Sequence, residues 1–156
     1  MRAIIGNLLD CPEGINVIIH QANIERRMGA GFAKALASKY PAVAKADRYG
    51  DSVYTYNVLG TFTKAIVKDD LIVYNAYGQS INNFSLMGFP TSYDAIYKSL
   101  CGIRDDIKEW ADEGDEVLIG VPYFMGCALG GGDWDIYEKI LEKTLFPFDI
   151  VAVKLP

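Results

Sequence analysis

One stretch of the chain indicates the fold, Gly126-Cys127-Ala128-Leu129-Gly130-Gly131-Gly132-Asp133-Trp134. An apolar, strand-like run at 117–121 precedes it, and a helix-like run at 136–145 follows it. Glycines between a strand and a helix leave backbone N–H groups bare, and the helix that follows adds the positive end of its dipole. The stretch therefore predicts a site for a small anion that needs no lysine, or else a plain tight connection between the two elements.

Short β-like runs alternate with amphipathic helical runs along the whole chain. We expect six strands, at 3–5, 15–20, 62–67, 71–76, 116–121 and 150–154. Helical periodicity predicts one helix that Pro41 stops, a longer one at 96–110 and a third at 136–145, and Thr91 with Asp94 has the spacing of a capping box. This order predicts an α/β fold, a three-layer α/β/α sandwich with a largely parallel sheet and ligands at the carboxyl ends of its strands.

The length of 156 residues predicts a single domain over 1–156. No apolar run is long enough for a membrane span, and the first residues do not resemble a secretion signal, so we expect a cytoplasmic protein. Three cysteines without a CxxC pair favour neither a disulfide framework nor a zinc site. The net charge of −5 comes without a concentrated basic stripe, which argues against general nucleic-acid binding but leaves room for a small anion. We expect a monomer.

A second glycine segment, Met28-Gly29-Ala30-Gly31-Phe32, follows the strand that ends near His20. Two such turns between a strand and a helix can face one cleft, with the pair Arg26-Arg27 nearby either steering an anion or simply solvated. Neither turn completes a P-loop or a dinucleotide motif, so the sequence argues against an ordinary ATPase or dehydrogenase. A cysteine phosphatase is also disfavoured, because Cys127 has no arginine six residues later.

His20 is the one histidine of the sequence. It can transfer protons or act as a nucleophile near neutral pH, or it can be a hydrogen-bonded histidine at a strand end. Asp133 directly precedes a helical run and is first of all an N-cap, whose backbone hydrogen bonds keep the carboxylate ionised. An ionised carboxylate also orients an imidazole well, so Asp133 is a candidate partner of His20.

Together these segments resemble a macro domain, the α/β/α module that binds ADP-ribose, over nearly the whole chain. The resemblance rests on the order and spacing of Gly6-Asn7-Leu8-Leu9, His20-Gln21-Ala22-Asn23, Met28-Gly29-Ala30-Gly31-Phe32 and the loop from Met125 to Gly130. Histidine in the second segment and the sequence of the loop resemble the branch with fungal and phage ADP-ribose 1″-phosphate phosphatases.

The resemblance implies that Asn7 and Leu8 contact the adenine and that Asn23, within the segment that also holds Gln21 and Ala22, contacts the distal ribose. The family usually has an aspartate where this chain has Asn7, whose amide oxygen accepts without charge. The resemblance further implies that the diphosphate lies on the two glycine turns, formed by Gly29, Ala30, Gly31 and Phe32 and by Met125, Gly126, Cys127, Ala128, Leu129 and Gly130. Tyr77 either covers the ligand or packs in the core.

The activity that the resemblance implies is hydrolysis of the terminal phosphate of ADP-ribose 1″-phosphate, with His20 as nucleophile or acid–base group, Asp133 as its orienting partner and no metal or cofactor. One alternative is an ADP-ribosyl hydrolase that removes ADP-ribose from modified protein or nucleic acid. By the same resemblance, its lysyl-adduct form needs a lysine after the strand at 71–76 and an aspartate in the loop at 126–132. Here residues 74–78 contain no lysine and position 130 is glycine. The second alternative is a reader that binds ADP-ribose without turnover.

Overall fold

The computed structural model describes residues 1–48, 58–68, 70–80 and 88–156. Its strands are β1 (Arg2–Ile5), β2 (Val17–Asn23), β3 (Phe62–Lys68), β4 (Leu71–Gln79), β5 (Leu118–Pro122) and β6 (Asp149–Lys154). Its α-helices are α1 (Gly31–Lys39), α2 (Pro41–Arg48), α3 (Tyr93–Trp110) and α4 (Trp134–Leu145). Two short 3-10 helices, Leu8–Asp10 and Pro12–Gly14, connect β1 to β2.

The six strands form one sheet in the order β1-β6-β5-β2-β4-β3. Every neighbouring pair is parallel except β3 with β4, which is antiparallel. A strand that is covered on both faces is buried at successive positions, and β2 is buried at each position from Val17 to His20. The predicted α/β fold with a largely parallel sheet is confirmed.

Helices cover both faces of the sheet. Val17 and Ile19 of β2 pack into a core cluster with α3 and α4, whereas Ile18 packs into a second cluster with residues of α1 and α2. Successive side chains of a strand point to opposite faces, so β2 alone joins two cores. His20 shares its face with Ile18 and lies on the side of α1 and α2.

The structure corrects the prediction for two helix ends. Pro41 ends the first helix as expected, but it also begins α2, which the sequence analysis missed because proline at the first position both stops one helix and starts another. The capping box at Thr91 is wrong by one residue. Ser92 is the N-cap of α3 and its side chain accepts from the N–H of Ala95, whereas the Thr91 hydroxyl donates to the carbonyl of Gly126.

The strand β2 runs to Asn23, three residues beyond its predicted end, because it continues to pair with β4. This extension carries Gln21, Ala22 and Asn23 to the carboxyl edge of the sheet. Within the described parts of the chain, no helix is both long and apolar enough to cross a membrane.

Candidate ligand-binding cleft

A cleft of about 670 Å³ lies at the carboxyl ends of β2 and β5. Its volume falls in the usual range of small-molecule sites. Its walls come from the end of β2, the connection to α1, one residue of α2, and the loop between β5 and α4. The lining residues predicted from the sequence are His20, Gln21, Ala22, Asn23, Gly29, Ala30, Gly31, Phe32, Met125, Gly126, Ala128, Leu129 and Gly130. The structure thus brings both glycine turns to one cavity.

The loop after β5 offers several N–H donors to this cavity. Cys127, Gly131 and Gly132 donate their N–H groups within the loop, to Phe124, Ala128 and Gly126. The N–H groups of Gly126, Ala128, Leu129 and Gly130 donate to no other described residue. Converging backbone N–H groups of this kind form an anion-binding concavity without any cationic side chain.

The first turn of α1 adds further donors on the opposite wall. Ala30 is its N-cap and gives no side-chain cap hydrogen bond, so the N–H groups of Gly31, Phe32 and Ala33 stay uncapped. Gly31 has φ +56°, a conformation that glycine adopts without strain. The uncapped positive end of α1, rather than that of α4, is the helix dipole that faces the cleft.

A hydrogen-bonded support lies beneath the loop after β5. The Gln21 amide accepts from the Tyr137 hydroxyl at 2.7 Å and donates to Gln79 at 2.7 Å and to Thr91 at 2.8 Å. Thr91 in turn donates to the carbonyl of Gly126 at 2.8 Å. Both donor hydrogens of the Gln21 amide and its oxygen are therefore engaged, and Gln21 holds the loop instead of offering a free amide to a ligand.

His20 lies in the cleft wall with 2% of its surface exposed. Its Nε2 and the Oδ1 of Asn75 are 2.5 Å apart, and its ring meets Phe32 edge-on at 6.1 Å. Burial lowers the pKa of His20 to about 4, although the hydrogen bonds with Asn75 and with the Gln21 backbone oppose this shift. The imidazole is therefore neutral at pH 7, with the proton on Nε2, because an amide oxygen can only accept.

Asp133 does not orient this imidazole, contrary to the sequence-based expectation. Its carboxylate caps α4 and accepts from the N–H groups of Asp135 at 2.8 Å and Ile136 at 3.4 Å. Asp133 is absent from the described lining of the cleft, and Asn75 takes the position at His20 that we expected for it. The capping prediction for Asp133 is confirmed, and its pairing with His20 is wrong.

Four other predicted ligand contacts lie outside the described lining of the cleft. Leu8 is a core residue with 3% exposure, and Asn7 is an exposed N-cap that accepts from the Leu9 N–H. Tyr77 is fully buried behind the cleft wall, where its hydroxyl donates to Asp47 at 2.6 Å, so the core interpretation of Tyr77 is the right one. Cys127 also points elsewhere, and burial raises the pKa of its thiol to about 11, with the nearby charge of Asp133 adding to the shift. A protonated thiol is a poor nucleophile.

Asn23 lines the cleft, but its side chain already braces the turn. Its amide donates to the carbonyl of Arg27 at 2.7 Å and accepts from the Arg27 N–H at 2.9 Å. This clamp fixes the start of the connection to α1 and places Arg27 beside the cavity. Arg27 is the cationic residue among the described residues that line the cleft.

Four residues of the site were not predicted from the sequence, namely Asp47, Asn75 and the aromatic pair Tyr123 and Phe124. Asp47 reaches the cleft from α2, the helix that was not predicted. Asn75 lies inside an apolar strand, and a buried polar residue in such a run was the one sequence signal that pointed to it. Tyr123 and Phe124 have ring centroids 4.4 Å apart and line the side next to Met125.

We expect acid to destabilise the fold through His20. Its pKa is about 4 in the folded chain and near 6.5 when exposed, so between these values the unfolded chain binds more protons. The free energy of unfolding should therefore fall by up to about 3 kcal/mol as the pH drops from 7 to 4. Burial raises the pKa of Asp47, which offsets part of this loss. Urea unfolding of wild type and His20→Asn at both pH values measures the effect. Equal pH dependence in the two proteins would contradict this prediction.

The chain is similar in sequence and in structure to several known proteins. No family model matches the sequence. An uncharacterised 17.5 kDa protein of Enterobacteria phage T4, from its tk-vs intergenic region, is 27% identical over 147 residues, which cover 90% of this chain and 86% of the phage protein. A solved protein of unknown function from Bacteroides thetaiotaomicron superposes with a TM-score of 0.82 at 26% identity, over 99% of this chain and 97% of that one.

Two further solved structures identify the fold. A macrodomain protein from Streptomyces coelicolor matches with a TM-score of 0.73 and 22% identity over 97% of both chains. The DarTG protein of Thermosipho africanus, solved in complex with ADP-ribose, matches with a TM-score of 0.69 and 18% identity, over 99% of this chain and 41% of that one. The chain has the macrodomain fold, as its sequence segments predicted. Among its relatives by sequence is the phage T4 protein.

Proposed function

We propose that this protein binds ADP-ribose in the cleft and hydrolyses the terminal phosphate of ADP-ribose 1″-phosphate. The observation that carries the binding proposal is the pair of glycine turns at one cavity. Their N–H groups at Gly126, Ala128, Leu129 and Gly130 and at the uncapped start of α1 have no partner among the described residues. A diphosphate supplies acceptors for both sets at once. The complex of Thermosipho DarTG with ADP-ribose supports this choice of ligand.

The charge of the cleft agrees with a compact anionic ligand. Arg27 supplies one positive charge at the rim, and the remaining attraction comes from backbone dipoles. Since a chain with a net charge of −5 repels polyanions at long range, these short-range donors favour a small molecule over a nucleic-acid strand.

The proposed phosphatase activity depends on His20. A neutral imidazole with its proton on Nε2 keeps its lone pair on the other ring nitrogen, which can attack phosphorus or take a proton from water when it faces the ligand and not the Gln21 backbone. The hydrogen bond to Asn75 holds the ring in this tautomer, and burial keeps it uncharged. Backbone donors of the glycine turns would stabilise charge on the phosphoryl oxygens, which suits a reaction governed by positioning and electrostatics.

One observation favours the second candidate, a reader that binds ADP-ribose without turnover. The His20 ring is 2% exposed, so little of it meets a ligand in the present conformation. The lysyl-adduct route of an ADP-ribosyl hydrolase finds no support at the end of β4, where Tyr77 is buried and no lysine lines the described cleft. A hydrolase that uses an ordered water instead remains the third candidate.

Three measurements on the wild-type protein separate these candidates. Calorimetry with ADP-ribose tests binding, phosphate release from ADP-ribose 1″-phosphate tests the phosphatase, and release of ADP-ribose from an ADP-ribosylated protein tests the hydrolase. We expect binding and phosphate release. Binding without either turnover supports the reader, release from the modified protein alone supports the hydrolase, and absence of binding overturns the proposed function.

A further inference from the structure

The cleft contains a carboxylate that the proposed reaction does not use. Asp47 of α2 is 2% exposed and is the acidic residue among the described residues that line the cavity. Burying a charged group to this extent costs folding free energy unless hydrogen bonds stabilise the charge. Its place in the wall, on the same side of the sheet as His20, therefore needs a physical reason.

A buried chain of hydrogen bonds connects His20 to Asp47. Nε2 of His20 lies 2.5 Å from Oδ1 of Asn75, whose amide nitrogen donates to the Thr63 hydroxyl at 3.0 Å. Thr63 and Tyr77 have their hydroxyl oxygens 3.1 Å apart, and Tyr77 donates to Oδ1 of Asp47 at 2.6 Å. Both ends of this chain, and none of its three middle residues, belong to the described lining of the cleft.

The chain has a direction. The Asn75 amide nitrogen also faces the carbonyl of Val43 at 3.3 Å, which fixes which side of the amide donates. Because Tyr77 gives its one hydroxyl hydrogen to Asp47, Thr63 must donate to Tyr77, and Asn75 donates to Thr63. All donors point from His20 toward Asp47, and aligned hydrogen bonds of this kind polarise one another.

This direction makes Asp47 the acceptor at the end of the chain, with one carboxyl oxygen in use. Burial raises the pKa of Asp47, while the Tyr77 hydroxyl and the charges of Arg26 and Arg48 lower it. Oδ1 accepts from Tyr77, and Oδ2 accepts from no described residue. Asp47 is thus a fixed acceptor at the cleft wall whose second oxygen is available to a ligand.

An ionised carboxylate accepts hydrogen bonds from hydroxyl groups and repels phosphate oxygens. The glycine turns already supply the donors that phosphates need, so the part of the ligand at Asp47 has to be a hydrogen-bond donor. We propose that Asp47 is a specificity-determining residue that accepts hydrogen bonds from the vicinal hydroxyls of the distal sugar, with the Tyr77–Thr63–Asn75 chain as its support. This inference rests on the proposed binding of ADP-ribose and adds the part of the ligand that Asp47 selects.

The test compares two ligands on matched variants by calorimetry. Asp47→Asn keeps the shape and the acceptor for Tyr77 but presents an amide to the ligand. We expect its affinity for ADP-ribose to fall about 10-fold to 100-fold, the usual effect of losing a hydrogen bond to a charged group. Its affinity for ADP, which has no distal sugar, should stay within about twofold of wild type. Asp70→Asn, at the opposite end of β4, controls for the change in net charge and should leave both affinities unchanged.

A second arm removes the hydroxyls from the ligand, so that its comparison on the wild-type protein does not depend on folding of the variant. ADP-ribose analogues without the 2″ and 3″ hydroxyls should bind wild type about 10-fold more weakly and should bind Asp47→Asn with no further loss. Equal losses for ADP and ADP-ribose in the variant, or full affinity of wild type for the deoxy analogues, overturn the inference while leaving the proposed function intact. A wild-type protein that binds neither ADP nor ADP-ribose overturns both.

Discussion

Replacing Gly126 by alanine should reduce the affinity for ADP-ribose by about 10-fold to 100-fold, because moving the loop removes hydrogen bonds to the charged diphosphate that are each worth about 1.5–3 kcal/mol. Gly126 has φ +75°, and a Cβ built on it would lie 2.4 Å from Cε2 of Tyr137 and 3.0 Å from Oε1 of Gln21. Tyr137 is fully buried, so the loop has to move instead. Calorimetry with ADP-ribose measures the loss of affinity.

The same substitution should lower the free energy of unfolding by about 2–5 kcal/mol, the sum of a left-handed conformation at a residue with a Cβ and of overpacking. Gly114→Ala is the matched control. Gly114 has φ +98° with no atom within 4 Å of its added Cβ, so it carries the backbone strain without the crowding. We expect Gly114→Ala to be mildly destabilised and to bind ADP-ribose as wild type does. Wild-type affinity in Gly126→Ala would show that the loop does not hold the ligand.

Replacing His20 by alanine should reduce phosphate release from ADP-ribose 1″-phosphate by about 10² to 10⁴, the usual contribution of a positioned acid–base group. The binding of ADP-ribose should persist, because the glycine turns supply the donors for its diphosphate. The substitution leaves Oδ1 of Asn75 unpaired in the interior, which costs about 1–3 kcal/mol of stability. Phosphate release and calorimetry on the same preparation separate lost chemistry from lost folding. Unchanged phosphate release with intact binding would remove His20 from the mechanism.

Replacing Asn75 by aspartate tests whether the reaction needs a neutral His20. A carboxylate in place of the amide would stabilise the charged imidazole and raise the pKa of His20 above its present value of about 4. A reaction that needs the neutral ring should then lose activity at a higher pH than in wild type. The pH dependence of phosphate release in both proteins measures this change. If the acid limb of the pH–rate profile does not move, the limb reports the titration of another group.

The positions of all six strands could be predicted from the sequence, since short apolar runs bounded by glycine and polar residues indicate strands. The two glycine turns were equally visible, because each follows a predicted strand and precedes a helical run. The helix α2 was missed, although Pro41 begins it, and with α2 the sequence analysis also missed Asp47. Its eight residues are too few for a clear helical period next to a proline that also signals a stop.

The hydrogen-bond partners of the polar side chains could not be predicted in the same way. Asp133 was expected at His20, yet local hydrogen bonds to the backbone of α4 hold it, whereas Asn75, which lies 55 residues from His20 along the chain, pairs with the imidazole. Asn7, Leu8 and Tyr77 likewise take roles in caps and core that no local pattern distinguishes from ligand contacts. A local helix cap can be predicted from the sequence, but the choice among hydrogen-bond partners that are distant in sequence cannot.

Local patterns in the chain were enough to predict the strands, the layers and the two glycine turns, because periodicity and glycine placement act over a few neighbouring residues. Only the folded chain shows that these turns share one cavity, that His20 is buried and neutral, and that the carboxylate at the cleft is Asp47 and not Asp133. These outcomes depend on strand order and on burial, which bring Thr63, Asn75 and Tyr77 between His20 and Asp47. Desolvation and hydrogen bonding over such distances in sequence set the charge of a group, and neither is encoded within a short segment.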